Sequence, residues 1–203
     1  MNYLELSIEN LEEENKKLYK IIQEDNYNYD LVIFIAKGAF LIGKDLSEYN
    51  KSKLIEVFAT RKGNKFKNLF KLILKILPKC TKKNLRQLEI KSGIHKKKAE
   101  RKVSFNENVW KKYENKNKIL LVDDSVDTGN SINLTKNAIE KFFKDAEIKV
   151  AALNVFDEGL KNSHIDYYLY NNTMLSGPWS DDSKENKEYL KEYYRWHNNQ
   201  QGE

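Results

Sequence analysis

Residues 119–131 read Ile-Leu-Leu-Val-Asp-Asp-Ser-Val-Asp-Thr-Gly-Asn-Ser, and three kinds of chemistry meet in them. Asp123, Asp124 and Asp127 supply carboxylates, which hold sugar hydroxyls or a hard cation such as Mg²⁺. Thr128, Gly129, Asn130 and Ser131 supply hydroxyls, a tight turn and backbone N–H groups at a helix start, which together cradle an anion. Carboxylates beside such a cradle describe a sugar-phosphate site. The apolar run over 119–122 is too short for a buried helix and reads as a strand covered on both faces. The acids then fall at or just beyond its carboxyl end, where ligands bind in an open parallel sheet.

Two other readings compete for these residues. Asp, Thr and Ser are ordinary helix caps, but three acids followed by Thr-Gly-Asn-Ser exceed what capping requires. Leu-Leu-Val-Asp-Asp also resembles the first acidic strand of phospho-accepting receiver domains. That doubly wound fold needs on the order of 100 further residues of alternating strand and helix. Only 79 of the 203 residues follow Asp124, and the last of them form an aromatic tail. The receiver reading fails on length.

The elements that must position these groups alternate along the chain. The pattern predicts a helix over 7–24 with Leu4, Ile8, Leu11, Leu18 and Ile22 inward, a strand over 30–36, a helix over 40–49 and a strand over 53–60. A long basic, mainly helical segment over 61–118 comes before the acidic strand. A helix over 129–143 follows, with Ile132, Ile139, Phe142 and Phe143 inward, then strands over 147–156 and 165–170 and a terminal helix over 181–196. Such alternation predicts an α/β domain with a doubly wound, mainly parallel sheet. The chain, 40% hydrophobic, suits one domain over 1–203.

Composition narrows the chemistry. No apolar run reaches the length of a membrane span, 33% of residues are charged, and the amino terminus lacks a signal-peptide pattern, so a cytoplasmic location is expected. Cys80 is the one cysteine, which excludes an intrachain disulfide. His95, His164 and His197 are scattered without zinc-ligand spacing. A metal here should be a hard cation held by carboxylates and substrate phosphates.

The thirteen residues over 119–131 resemble the phosphoribosyl-pyrophosphate (PRPP) motif of the type I phosphoribosyltransferases: a hydrophobic strand, two adjacent acids, then Asp-Thr-Gly-x-Ser/Thr. The resemblance implies that Asp123 and Asp124 hold the ribose hydroxyls, directly or through Mg²⁺. It implies that Asp127, Thr128, Gly129, Asn130 and Ser131 wrap the 5-phosphate, with Asp127 also the catalytic base where the acceptor loses a proton. A loop after the first strand, Lys37-Gly38-Ala39, matches the family's pyrophosphate loop, with Ala39 in place of a second glycine. Arg61 and Lys62, beyond the second strand, match a basic pyrophosphate contact; a plain surface charge is the other reading.

On the acceptor side, Phe156, Met174 and Leu175 fall where relatives build the acceptor pocket, in a small hood over about 156–203 that includes the terminal helix. The lysine that purine-using members carry after this strand is missing, since 154–158 reads Asn-Val-Phe-Asp-Glu. The expected activity is Mg²⁺-dependent transfer of phosphoribose from PRPP to an unidentified small-molecule acceptor with release of pyrophosphate, as in nucleotide metabolism. The alternative is a non-catalytic PRPP- or nucleotide-sensing regulator.

Residues 61–102 hold 16 Lys or Arg against Glu89 and Glu100. This +14 in a chain of net +6 marks a basic helical insertion, with the remainder acidic. Phe66, Leu69, Phe70, Ile73, Leu74, Ile76 and Leu77 alternate there with Lys67, Lys71 and Lys75, which predicts an amphipathic helix stopped by Pro78. Three uses compete: a solvated lid, an interfacial helix that brings the protein peripherally to an anionic membrane, and a nucleic-acid footprint, ranked lower because few aromatics interleave. A second copy of the chain, in a homodimer, is a further candidate partner.

Overall fold

In a computed structural model the described residues are 2–61 and 101–202, with side chains described for 2–60 and 101–200. Lys62 and the predicted amphipathic helix of the insertion lie outside them. The chain divides into two compact units, Met1–Ala59 with Val103–Glu203, and Thr60–Lys102. In the second, the Thr60 hydroxyl lies 3.5 Å from the Lys102 carbonyl. No helix among the described residues is long and apolar enough to cross a membrane.

The described strands are β1 (Asn2–Glu5), β2 (Leu31–Ala36), β3 (Lys53–Arg61), β4 (Arg101–Ser104), β5 (Lys118–Val126), β6 (Glu147–Val155), β7 (Tyr167–Asn171) and β8 (Thr173–Ser176). The helices are α1 (Ile8–Glu24), α2 (Phe40–Tyr49), α3 (Glu107–Lys111), α4 (Asn130–Phe142), α5 (Asp157–Asn162) and α6 (Asn186–Gly202). Six strands form one sheet in the order β4-β3-β2-β5-β6-β7, and β1 pairs with β8 in a second, two-stranded sheet. β2 runs parallel to β3 and β5, and β6 runs parallel to β5 and β7. The expected α/β sheet, doubly wound and mainly parallel, is the one observed.

Strand alternation explains the two faces. Side chains of β2 and β5 point alternately up and down. Leu31, Ile33, Ile35, Ile119 and Leu121 therefore enter one core with Trp110, Ile132, Ile139 and Phe143 from the helical side. Val32, Phe34, Leu120 and Val122 enter the other, with Leu11, Leu18 and Ile22 of α1, Phe40 and Leu46 of α2, and Tyr189 and Tyr193 of α6. With both faces covered, β2 throughout and residues 119–122 of β5 are apolar without a break. β2 and β5 therefore lie side by side at the sheet's centre, and their carboxyl ends open onto the same edge.

Local signals set the flanking elements. Ser7 caps α1 by accepting from the Asn10 N–H at 3.1 Å. The terminal helix begins at Asn186, later than the expected 181, because residues 180–186 first make turns: Ser183 N–H donates to Ser180 O at 2.9 Å and Asn186 N–H to Ser183 O at 3.3 Å. β1, β4, β8 and the short α3 and α5 were not among the expected elements.

Candidate functional site

The motif strand β5 runs further than its apolar residues and carries Asp123 and Asp124 within its last turns of backbone. Asp123 is only 7% exposed, and Asp124 is half-buried. The Asp124 N–H donates to Asp123 Oδ1 at 3.0 Å. Burial, followed by the charge of Asp124, pushes the Asp123 carboxyl well above the usual carboxylate range. Burial and the charge of Asp127 push Asp124 up to about 6, against the opposing hydrogen bond from Asp123. Both carboxyls are thus pushed up together, a consequence of crowding negative charge at a poorly solvated strand end.

Among the described residues no Lys or Arg pairs with either carboxyl, and no group of three or more His, Cys, Asp or Glu converges as a metal cage. Two adjacent hard oxygen donors fit Mg²⁺, which takes one or two carboxylates and completes its shell with water and substrate phosphate. Asp123 and Asp124 are the residues that would hold it.

The second loop is pressed against this pair. A Cβ built on Gly38 would lie 2.5 Å from Asp124 Oδ1 and 2.7 Å from its Cγ, so only glycine lets the turn after β2 approach so closely. The turn contains a cis peptide at Ala36–Lys37. Ala39, in place of a second glycine, is fully buried and starts α2 with φ −85°, a conformation any residue adopts.

Lys37 is exposed, and its Nζ donates to the Tyr194 hydroxyl of α6 while lying 4.4 Å from that ring's centroid. The Tyr189 hydroxyl donates to the Lys37 carbonyl, with the Gly38 carbonyl 3.3 Å away. Burial, with the charge of Asp124 second, pushes the Tyr189 phenol far up, so it remains a donor.

On the other side of the acids, the chain turns into α4 through Gly129, which takes the left-handed conformation at φ +77° and offers no side-chain cap. At this end of α4 the helix dipole favours an anion. A Cβ on Gly129 would lie 2.5 Å from Ser163 Oγ. Behind the turn, Asn162 Nδ2 donates to the Thr128 carbonyl at 3.2 Å, and Asn133 Nδ2 donates to the Asn162 carbonyl at 2.8 Å. Phe156 N–H donates to the Val126 carbonyl at 3.0 Å, which ties the end of β6 to the end of β5. Asp127, Asn130 and Ser131 line the same turn, Asp127 and Asn130 exposed and Ser131 half-buried.

The structure therefore brings Lys37 and Gly38 together with Asp124, and sets Asp123, Asp124 and Asp127 through Ser131 along one strand end and helix start. Arg61 ends β3. On the acceptor side, Phe156 precedes α5. Asn154 Oδ1 accepts from the Thr173 N–H at 2.9 Å, which brings the start of β8 beside the end of β6. Met174 and Leu175 sit on β8, opposite Tyr3 and Leu4 of β1, and Leu175 packs against the core along with Trp179. Asn133, Asn162, Ser163, Tyr189 and Tyr194 were not among the sequence candidates. The tyrosines carry the spacing of ordinary core residues, and the asparagines and Ser163 carry no local signature.

No family model matches the chain, and neither does any curated protein sequence. Solved structures do resemble it. A xanthine-guanine-hypoxanthine phosphoribosyltransferase from Helicobacter pylori is 14% identical, with a TM-score of 0.62, over 92% of this chain and 99% of that one. A purine phosphoribosyltransferase from Pyrococcus horikoshii is 16% identical, with a TM-score of 0.59, over 90% and 97%. A hypothetical protein from Neisseria gonorrhoeae with bound ppGpp is 14% identical, with a TM-score of 0.60, over 94% of each chain. At this identity the likeness is one of architecture, and the architecture is that of the phosphoribosyltransferase structures.

Proposed function

We propose that the chain is a Mg²⁺-dependent phosphoribosyltransferase that uses PRPP as donor. One observation carries this reading: the adjacent acids Asp123 and Asp124, without a basic partner among the described residues, lie between the Gly38 turn and the Gly129 helix start. That spacing suits a ligand with a diol in its middle, one phosphate at one end and a diphosphate at the other. The shared fold supports it, although fold alone does not decide activity.

In the reaction, the bond from the ribose anomeric carbon to pyrophosphate breaks and a bond to the acceptor nucleophile forms. Positive charge builds on the sugar and negative charge on the leaving group. Asp123 and Asp124 hold the hydroxyls and lie where they oppose the positive charge. Thr128, Gly129, Asn130 and Ser131 bind the 5-phosphate, so remote binding energy orients the reacting carbon. Lys37 and the backbone of Gly38 receive the departing pyrophosphate. Asp127 takes the proton of an acceptor that loses one. Mg²⁺, when bound, supplies charge neutralisation at the diphosphate.

Phosphorus NMR of PRPP with Mg²⁺ across a panel of acceptors tests the activity: pyrophosphate release with a matched acceptor supports it. A second reading, a nucleotide sensor without turnover, is favoured by the absent acceptor-side lysine and by the N. gonorrhoeae protein with bound ppGpp. Saturable PRPP or ppGpp binding with no turnover on any acceptor would select it. Replacing Asp123 and Asp124 together by Asn should abolish Mg²⁺–PRPP binding in a folded protein under either reading.

A further inference from the structure

We infer that α6 belongs to the donor site and that Tyr189 is a positioning residue, holding the Lys37–Gly38 turn so that its amide faces the ligand. The inference rests on the phosphoribosyltransferase reading of that turn and adds a determinant outside its motifs. Tyr189 is fully buried, with its ring edge-on to Phe40 at 6.1 Å between centroids. A phenylalanine would pack there equally well, so ring packing does not account for the hydroxyl. The hydroxyl spends its hydrogen bond on the Lys37 carbonyl and keeps the Gly38 carbonyl at 3.3 Å.

Among the described residues the cis peptide is at Ala36–Lys37, so the next peptide is trans and its N–H points opposite to its C=O. The Lys37 carbonyl, which also accepts from the Phe40 N–H at 3.1 Å, is thus fixed on α6, and the Gly38 N–H turns away from Tyr189. This also holds the Gly38 α-carbon against the Asp124 carboxyl, where a Cβ would sit 2.5 Å from Oδ1. Five residues further along the helix, Tyr194 takes the Lys37 ammonium. One helix thus grips the turn by its main chain and by its side chain. The grip on the side chain is exposed, so an anion can exchange for Tyr194 at little cost; the grip on the main chain is buried and persists.

The test titrates wild type and Tyr189→Phe with two separate probes, Mg²⁺–pyrophosphate and ribose 5-phosphate, with Tyr193→Phe as control. The Tyr193 hydroxyl donates to Glu56 at 2.8 Å, and its ring, 5.5 Å from Lys37 Nζ, is kept in the control. Tyr189→Phe should weaken pyrophosphate about five- to tenfold while ribose 5-phosphate binds as in wild type, and Tyr193→Phe should leave both unchanged. Equal pyrophosphate affinity in wild type and Tyr189→Phe overturns the positioning role and leaves the donor-site reading standing. A parallel loss of both ligands with falling thermal stability also overturns it, since that marks a structural tyrosine. A wild type that binds neither probe overturns the donor-site reading itself.

Discussion

Gly38 lies so close to Asp124 that a methyl group on it would sit 2.5 Å from Oδ1, and this contact joins the two loops that the chain separates by more than eighty residues. The obstacle is the end of a side chain, so Gly38→Ala can be accommodated by rotating Asp124 out of place. Thermal stability should change little, while Mg²⁺–PRPP affinity falls about tenfold or more. Calorimetric titration beside a melting curve separates the two, and an unchanged affinity would show that Asp124 need not hold its present rotamer.

Gly129 makes a harder demand. Its φ of +77° and the 2.5 Å approach of a built Cβ to Ser163 Oγ act together. Gly129→Ala should cost roughly 2–3 kcal/mol, from left-handed strain and overpacking. It should also abolish ribose 5-phosphate binding. Adding Ser163→Gly should return the packing share but not the strain share, which urea denaturation of the single and double variants resolves.

The acid pair sets a pH dependence. Asp124 rises from an ordinary 3.8 to about 6 in the fold, and Asp123 rises as well. A raised carboxyl binds its proton more tightly when folded, so its contribution is fully present below the unfolded value and is lost as pH rises through the folded one. Asp123→Asn removes this loss and should make the ligand-free protein more stable near neutral pH, with the gain shrinking as pH falls towards the ordinary carboxylate range. Urea curves across that range check the sign. A variant less stable than wild type at neutral pH would mean that Asp123 is paired favourably without ligand.

These effects sit on elements of unequal legibility. β2 and β5 could be read because burial on both faces leaves unbroken apolar runs, and Phe40–Tyr49 has the bounds that its periodicity predicts. β1 and β8 could not: each has four residues, and its partner lies at the opposite end of the chain. β4, Arg-Lys-Val-Ser, is hidden by its charge in the basic stretch. At the site, the acids and the Gly129 turn are local in sequence and therefore visible. Tyr189 looks like one more aromatic on a buried helix face, and only the distant carbonyl its hydroxyl meets sets it apart. Asn162 is similar, an exposed residue at the end of a short helix.

Asn162 tests whether such distant supports matter to the phosphate end as Tyr189 does to the pyrophosphate end. Its Nδ2 donates to the Thr128 carbonyl at 3.2 Å, and its own carbonyl is held by Asn133 at 2.8 Å. Because the pair is exposed, water replaces the lost bond in Asn162→Ala, and stability should shift by no more than about 0.5 kcal/mol. The turn, however, loses the tether that keeps Thr128 in line with the Gly129 amides. Ribose 5-phosphate should bind about fivefold more weakly, with pyrophosphate unaffected, the mirror image of Tyr189→Phe. Weakening of both ligands to the same degree would mean that the two ends of the site are coupled through the acid pair, through Asp124 against Gly38, and are not held independently by α5 and α6.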